Sequence, residues 1–374
     1  MKILHTEASA GWGGQELRIL SEMQGLRGRG HQLELAAPAG APIHREAAAL
    51  GFRVHDVPIG RKTLRGLRAM RRLLRTEHFD VVNTHSSTDS WLVALSNALP
   101  GRAVPLVRTR HISAPVSGNA ATRWLYNRAS AALVTTGEKL REELVQVNGF
   151  TDVPIRSVPT GIDPARFMPG DPVAARAALG LAPRFTIGIV ATLRSWKGHR
   201  FLVEAFARLR ADGRDVQLLI VGDGPGRALI GDQVQAAGLA SSVHFTGHDP
   251  KPERWFPAID LFALPSYANE GVPQALMQAM MVGLPCVTTL VGAIGEIATD
   301  GETALIVPPQ DAAALAAALA RLMDDAALRT RLGSNARAFA LERCTLEAMC
   351  DAMEEVFEKA IRHSRGGGNP GRPS

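Results

Sequence analysis

Cysteine is scarce in this chain of 374 residues, and tyrosine scarcer: three of the first and two of the second. The three thiols (Cys286, Cys344 and Cys350) are odd in number and lack metal-ligand spacing, which excludes a disulfide-stapled scaffold and a thiolate metal centre. They read as reduced, buried thiols of a cytoplasmic protein. No apolar run reaches the ~18 residues that a membrane span needs. The opening Met-Lys-Ile-Leu-His-Thr-Glu turns polar too early for a secretory signal. The first glycine turn, Gly11-Trp-Gly-Gly14, is not a Gly-x-Gly-x-x-Gly fingerprint, so a nicotinamide cofactor gains little support. What is present is ordinary: 46% hydrophobic and 21% charged residues, enough for about two globular domains at ~100–200 residues each.

Charge is uneven. Residues 1–165 hold 21 Lys and Arg against 14 Asp and Glu, and the remainder holds 21 against 22. Much of the excess lies in Ile59–Arg75, which has seven basic residues and no acid. Leu64, Leu67, Met70 and Leu74 recur there at helical spacing and predict an apolar flank, with Arg61, Arg65, Arg68, Arg72 and Arg75 on another. Such a face is either simply solvated or meets anionic lipid headgroups in the plane of a membrane. Nucleic acid is not expected, because the run lacks interleaved aromatics.

Short β-like runs alternate with longer helical ones through both halves. Strands are predicted at 2–6, 32–36, 79–83, 104–108 and 132–135, then at 186–191, 216–221, 243–245, 261–264 and 286–288. Helical patterns lie between them, and a last amphipathic helix covers 345–361. Nearly continuous Val/Ile/Leu strands between helices indicate parallel sheets covered on both faces. The Pro/Gly-rich stretch 158–172 reads as a linker, and 365–374 as a disordered tail. The expected fold class is therefore α/β, with two doubly wound Rossmann-like domains facing a cleft.

In such sheets ligands sit at the carboxyl ends of strands, where glycine turns and helix N-termini present N–H groups to phosphate. Candidate turns follow the predicted strands: Gly13-Gly14, Gly222-Asp-Gly-Pro225, and Pro265–Gln274 leading into a helix predicted over 271–282. Each alone is a common α/β feature.

Their order is more specific. Gly13-Gly14-Gln15-Glu16, Val107-Arg-Thr-Arg-His111, Val158-Pro-Thr-Gly-Ile-Asp163, Leu193-Arg-Ser-Trp-Lys-Gly198, Val221-Gly-Asp-Gly-Pro225 and Leu264-Pro-Ser266…Glu270-Gly271…Gln278-Ala-Met280…Gly283-Leu-Pro285 together resemble the retaining family-four (group 1) glycosyltransferases of the GT-B fold. The resemblance covers the whole chain except the tail. Two positions depart from it. Gln278 stands where the family usually has a second Glu, and Ala191-Thr192-Leu193 replaces its Gly-Arg-Leu, which leaves Arg194 as the nearest arginine.

The resemblance implies an acceptor-binding domain over 1–165, with helix 345–361 packing back on it, and a donor-binding domain over 166–344. It implies transfer of a sugar from a nucleoside-diphosphate donor to a glycan or lipid-linked acceptor, in cell-surface polysaccharide or lipopolysaccharide synthesis. Lys197 and Arg194 would face the diphosphate, Glu270 the donor-sugar hydroxyls, and His111 the donor sugar or acceptor. Gly13, Gly14, Gly222 and Gly271-Val272-Pro273-Gln274 would line the donor, with Gln278 on the ribose. His5, His85 and Asp89, at cleft-facing ends in the first domain, would touch the acceptor, with Glu16. For Glu270 a helix-capping role stays open, for Glu16 that of a first-turn acid, for Gln278 a plain place on a helix surface, for Lys197 that of a solvated lysine and for His111 that of a satisfied loop histidine. The chain contains no Asp-x-Asp triplet, so the departing diphosphate is expected to be met by fixed cations and dipoles, with no metal and no cofactor. A non-catalytic nucleotide-sugar or glycan binder and a basic membrane-surface scaffold are the competing classes. The expected location is cytoplasmic, peripheral at the inner face of the plasma membrane.

Overall fold

The computed structural model describes residues 1–111 and 116–365; the expected tail lies almost wholly outside the described residues. The chain divides into two units, Met1–Gly161 with the chain from Leu346 onward, and Ile162–Thr345. Among the described residues each is built on one all-parallel sheet.

In the first unit, strands β1 (Lys2–Thr6), β2 (Gln32–Ala37), β3 (Arg53–Asp56), β4 (Val81–Thr84), β5 (Leu106–Arg110), β6 (Ala132–Thr135) and β7 (Ile155–Ser157) stand in the order β3-β2-β1-β4-β5-β6-β7. The helices between them are α1 (Gly14–Gly28), α2 (Pro42–Ala49), α3 (Leu64–Thr76), α4 (Ser87–Ala98), α5 (Ala120–Trp124) and α6 (Glu138–Gln146). The order reverses between β1 and β4, and their carboxyl ends carry His5 and His85. Two apolar layers cover the sheet, as parallel strands require. One contains Ile19, Met23 and Leu26 of α1 with Met349, Met353 and Phe357 of the C-terminal helix.

In the second unit, β8 (Phe185–Val190), β9 (Val216–Val221), β10 (Val243–Gly247), β11 (Leu261–Leu264), β12 (Cys286–Thr288) and β13 (Leu305–Ile306) run β10-β9-β8-β11-β12-β13. Its helices are α7 (Pro172–Ala178), α8 (His199–Ala211), α9 (Arg227–Ala236), α10 (Gln274–Val282), α11 (Ala312–Asp324) and α12 (Ala326–Arg343). The last helix, α13 (Leu346–Arg365), returns to the first unit.

Several expectations are corrected. The stretch 158–172 is not a loose linker: Val158 is buried in the first unit's core, and Ile162 and Phe167 in the second's. The division falls at 161/162 rather than 165/166, because Ile162 bridges Thr345 and donates its N–H to the Cys344 carbonyl at 2.8 Å. Helix α3 begins at Leu64 under the side-chain cap of Thr63, and its buried face is Gly66, Met70, Leu73 and Leu74. Leu64, expected on the apolar flank, is 70% exposed. A side chain at Gly66 would meet the Pro58 carbonyl at 2.8 Å, so the helix packs through a bare backbone there. Lys62 lies over the Trp91 ring and Arg71 donates to the Pro100 carbonyl. Arg61, Arg65, Arg68, Arg72 and Arg75 are exposed.

Candidate active site

Two groups of polar side chains gather at strand carboxyl ends, one in each unit.

In the second unit, β8 is followed by residues 191–194, a single 3-10 turn Ser195–Lys197, and then α8. The 191–194 segment is clamped on the neighbouring glycine turn: Leu193 donates to Asp223 O at 3.0 Å and Gly226 to Leu193 O at 2.8 Å. Strand β11 leads into Pro265–Pro273, and the Tyr267 N–H donates to Trp196 O at 2.9 Å, tying this loop to the first. The result joins two residues 73 apart in sequence: Lys197 Nζ lies 2.7 and 2.9 Å from the two Glu270 carboxylate oxygens. Ser266 Oγ donates to the same carboxylate at 2.5 Å. Glu270 is buried, whereas the Lys197 side chain is 21% exposed. Asn269, just before Glu270, has φ 54°, a left-handed conformation that Asn tolerates better than most residues.

Other donor-site candidates fall differently. Arg194 is exposed, its guanidinium 5.2 Å from the centroid of the Trp196 ring, and it lines a cavity of about 470 Å³ with Trp196, Phe201 and Tyr267. Lys197 and Glu270 do not line that cavity. Gly222 cannot offer its N–H to a ligand, because the amide already donates to Gly247 O at 3.0 Å. Pro273 has no N–H and is buried; it is the N-cap of α10, which starts at Gln274 rather than 271. Gly271, Val272 and Gln274 lead into that N-terminus, and Gln278 is half-buried one turn further on.

In the first unit the central strands bring three imidazoles into line. His5 Nδ1 is 2.9 Å from His85 Nε2, and His85 Nδ1 is 2.9 Å from His111 Nε2. Burial, with Arg18 nearby, pushes the His5 pKa down to about 3; burial also holds His85 and His111 well below the ordinary histidine value. The row is not a metal centre: two nitrogens on one zinc at about 2.0–2.1 Å stand roughly 3.4 Å apart and converge on the ion. Here they meet pairwise, at hydrogen-bond distance.

Asp89, expected on the acceptor, is fully buried. Its carboxylate accepts from Thr6 Oγ1, from Ser86 Oγ and from the N–H groups of His85, Ser86 and Ser90, closing the capping box of α4. That role is structural. His85 is likewise taken up by its two histidine neighbours. Gly13 is the N-cap of α1 and Gly14 its first residue, with Glu16 buried in the first turn. Glu7, which the sequence did not mark, is also buried; its pKa rises to about 8 through burial and the nearby Asp89 carboxylate. Glu22 and Arg18 went unmarked too. Charged residues at i, i+4 on the face carrying Ile19, Met23 and Leu26 were the available signal.

Comparison with known proteins identifies the family. Residues 12–166 match the family described as Glycosyltransferase Family 4, and residues 184–325 match Glycosyl transferases group 1. The lipopolysaccharide core biosynthesis mannosyltransferase LpsB of Rhizobium meliloti is 30% identical over 250 residues, which is 64% of this chain and 69% of that protein. The D-inositol 3-phosphate glycosyltransferase of Stackebrandtia nassauensis is 29% identical over 367 residues, covering 87% and 82% of the two chains. Among solved structures, Anabaena HepE in complex with UDP superposes with a TM-score of 0.83 at 22% identity, over 96% of this chain and all of that one. WaaG, a glycosyltransferase involved in lipopolysaccharide biosynthesis, gives 0.71 at 18% identity, over 95% and 99%. The chain belongs to the group 1 glycosyltransferases and has the two Rossmann-like domains of the GT-B fold.

Proposed function

We propose that this glycosyltransferase is retaining and independent of metal, and that it moves a sugar from a nucleoside-diphosphate donor to a glycan or lipid-linked acceptor of the cell surface. The observation that carries this reading is the Lys197–Glu270 pair at the carboxyl ends of β8 and β11. Breaking a glycosyl–phosphate bond places negative charge on the departing diphosphate and positive charge on the sugar. A partly exposed lysine can share its ammonium between Glu270 and the diphosphate, and the N-terminus of α10 adds a favourable dipole. Glu270, held by Ser266 and Lys197, would accept hydroxyl hydrogens from the donor sugar, and Gln278 would meet the ribose. UDP-glucose is the first donor to try, since Anabaena HepE was solved with it, and a nucleoside-diphosphate mannose is the second.

Each donor is to be incubated with short glycan acceptors in excess EDTA, with release of the nucleoside diphosphate followed and the product anomer assigned by NMR. Transfer is expected to persist with the donor's anomeric configuration kept. A strict divalent-metal requirement, or an inverted anomer, overturns the mechanism.

The setting we propose is the anionic inner face of a membrane, from the cytoplasm. No helix among the described residues is long and apolar enough to cross a bilayer, so attachment would be peripheral. The exposed arginines of α3, with Arg61 just before it and exposed Leu64 at its start, supply the surface. Each basic residue near an anionic surface contributes about 1 kcal/mol, so several suffice for reversible binding. Sedimentation with anionic but not zwitterionic liposomes is expected, reversed by salt as screening shortens. Replacing Arg65, Arg68, Arg72 and Arg75 by Gln should remove it and leave nucleotide binding intact. If the unaltered protein ignores anionic liposomes at low salt, the arginines form only a solvated face.

A further inference from the structure

We infer that Glu22, His5 and His85 form a directional chain of polar contacts that sets which ring nitrogen of His111 carries its proton. A neutral imidazole has one N–H and one bare nitrogen. Each of the two 2.9 Å contacts needs one donor and one acceptor, so fixing the proton at one end fixes it at every ring. The His5 and His85 rings are 10° from parallel, which points the shared hydrogen along the contact.

The inner end of the chain is Glu22. His5 Nε2 has no hydrogen-bond partner and faces Glu22 Oε1 at 3.9 Å, inside the apolar layer under the sheet. Asn83 Nδ2 donates to Glu22 Oε1 at 3.1 Å, and Thr109 Oγ1 donates to Asn83 Oδ1 at 2.8 Å, which holds the amide in that orientation. Arg18 Nε lies 3.7 Å from Glu22 Oε2, and its Nη1 donates to the Val158 carbonyl. Cys350 of α13, its thiol pushed up to about 12 by burial, also faces Glu22, and Phe357 of α13 meets the His5 ring edge-on. At the outer end, Arg108 and Arg18 act on His111, and Asp89 meets His85 through the backbone N–H of that residue, not its ring.

A carboxylate only accepts, so ionised Glu22 favours the hydrogen on His5 Nε2. His5 Nδ1 then accepts from His85 Nε2, and His85 Nδ1 accepts from His111 Nε2. His111 is left with a bare Nδ1 that can accept a hydroxyl hydrogen from the substrate. If Glu22 becomes a donor instead, every contact reverses and His111 carries its proton on Nδ1. Burial, against the opposing effects of Arg18 and Asn83, raises the Glu22 pKa to about 7, so the reversal falls near neutral pH. His5 and His85 are in this sense positioning residues: they act only through His111. The link to turnover rests on the transferase reading above; the proton placement does not.

The test uses the whole protein labelled with ¹⁵N-histidine. Two-bond ¹H–¹⁵N spectra report the tautomer of His111 above and below the Glu22 midpoint. His111 is expected to hold its proton on Nε2 at the higher pH and on Nδ1 at the lower. Glu22→Gln, whose side-chain oxygen stays the acceptor of Asn83 Nδ2 and so still faces His5 Nε2, should keep the Nε2 form at both. His5→Phe, which keeps a ring in place but cuts the chain, should make His111 indifferent to pH over this range. An unchanged His111 tautomer in wild type across the midpoint overturns the chain, as does a pH-dependent reversal that persists in Glu22→Gln. In transfer assays, wild-type kcat/KM should fall about tenfold per pH unit below the midpoint, and this limb should be missing in Glu22→Gln. A tautomer reversal with no such limb overturns the role in turnover while the chain stands. Absence of any transfer by the wild type counts against the proposed function and leaves the spectra decisive.

Discussion

Lys197→Ala is expected to lower kcat/KM for sugar transfer by roughly 10²–10³-fold, or about 2.7–4 kcal/mol, as removal of a single preorganised group does elsewhere. The loss follows from two effects at one position. The ammonium no longer meets the diphosphate, and Glu270 is left buried with Ser266 as its remaining side-chain partner. An isolated buried carboxylate takes up a proton rather than staying charged. A neutral Glu270 would then hold the donor-sugar hydroxyls less strongly. The double variant Lys197→Ala with Glu270→Gln separates the effects. If its activity matches that of Lys197→Ala, Glu270 acts only through its pairing with the lysine; if it falls further, Glu270 contributes on its own. Wild-type turnover in Lys197→Ala would remove the donor site from these two loops.

Much of this architecture was legible because parallel strands buried on both faces must be apolar throughout. Thr186–Ala191 and Val216–Val221 announce themselves as strands in that way, and β8 and β9 occupy nearly the same residues. Edge elements gave no such signal. Strand β3, Arg53-Val-His-Asp56, has one apolar residue, and α2 is too short and Ala-rich to show a period. In α3 the apolar spacing places Met70 and Leu74 in the core and Leu67 against it, but at the helix start Gly66 takes the buried position and Leu64 is exposed, because the backbone comes too close to Pro58 for any side chain at 66.

Lys197 and Glu270 were each recognisable from motif context, but Arg194 was grouped with Lys197 by proximity in sequence. Lys197 ends the 3-10 turn that Arg194 caps, and the Arg194 guanidinium lies beside the Trp196 ring. The histidine row was visible only as separate residues. His5, His85 and His111 lie 80 and 26 positions apart, and nothing along one strand indicates that its neighbours end in the same side chain. Glu22 was hidden more thoroughly, since a buried charge on an apolar helix face looks like a break in the pattern.

Gly198→Ala should have the second large effect, this time on the fold of the site. Gly198 has φ 78°, between the 3-10 turn and α8, and a Cβ there would sit 1.9 Å from the Pro265 carbonyl oxygen. Left-handed backbone costs a non-glycine residue about 1–2 kcal/mol. Forcing an atom into a filled position adds about 1–3 kcal/mol. Pro265 opens the loop that carries Ser266 and Glu270, so relief of the clash must move one loop away from the other and draw Lys197 off its partner. Gly213→Ala is the matched control: its φ is 79°, and nothing lies within 4 Å of an added Cβ. Calorimetry should show both variants melting below wild type, with Gly198→Ala lower by an amount reflecting the clash alone, and only Gly198→Ala should also lose transfer activity. Equal melting temperatures for the two would mean that the loops around Lys197 and Glu270 do not approach as closely as the structure places them, and the ion pair that carries the functional reading would lose its geometric support.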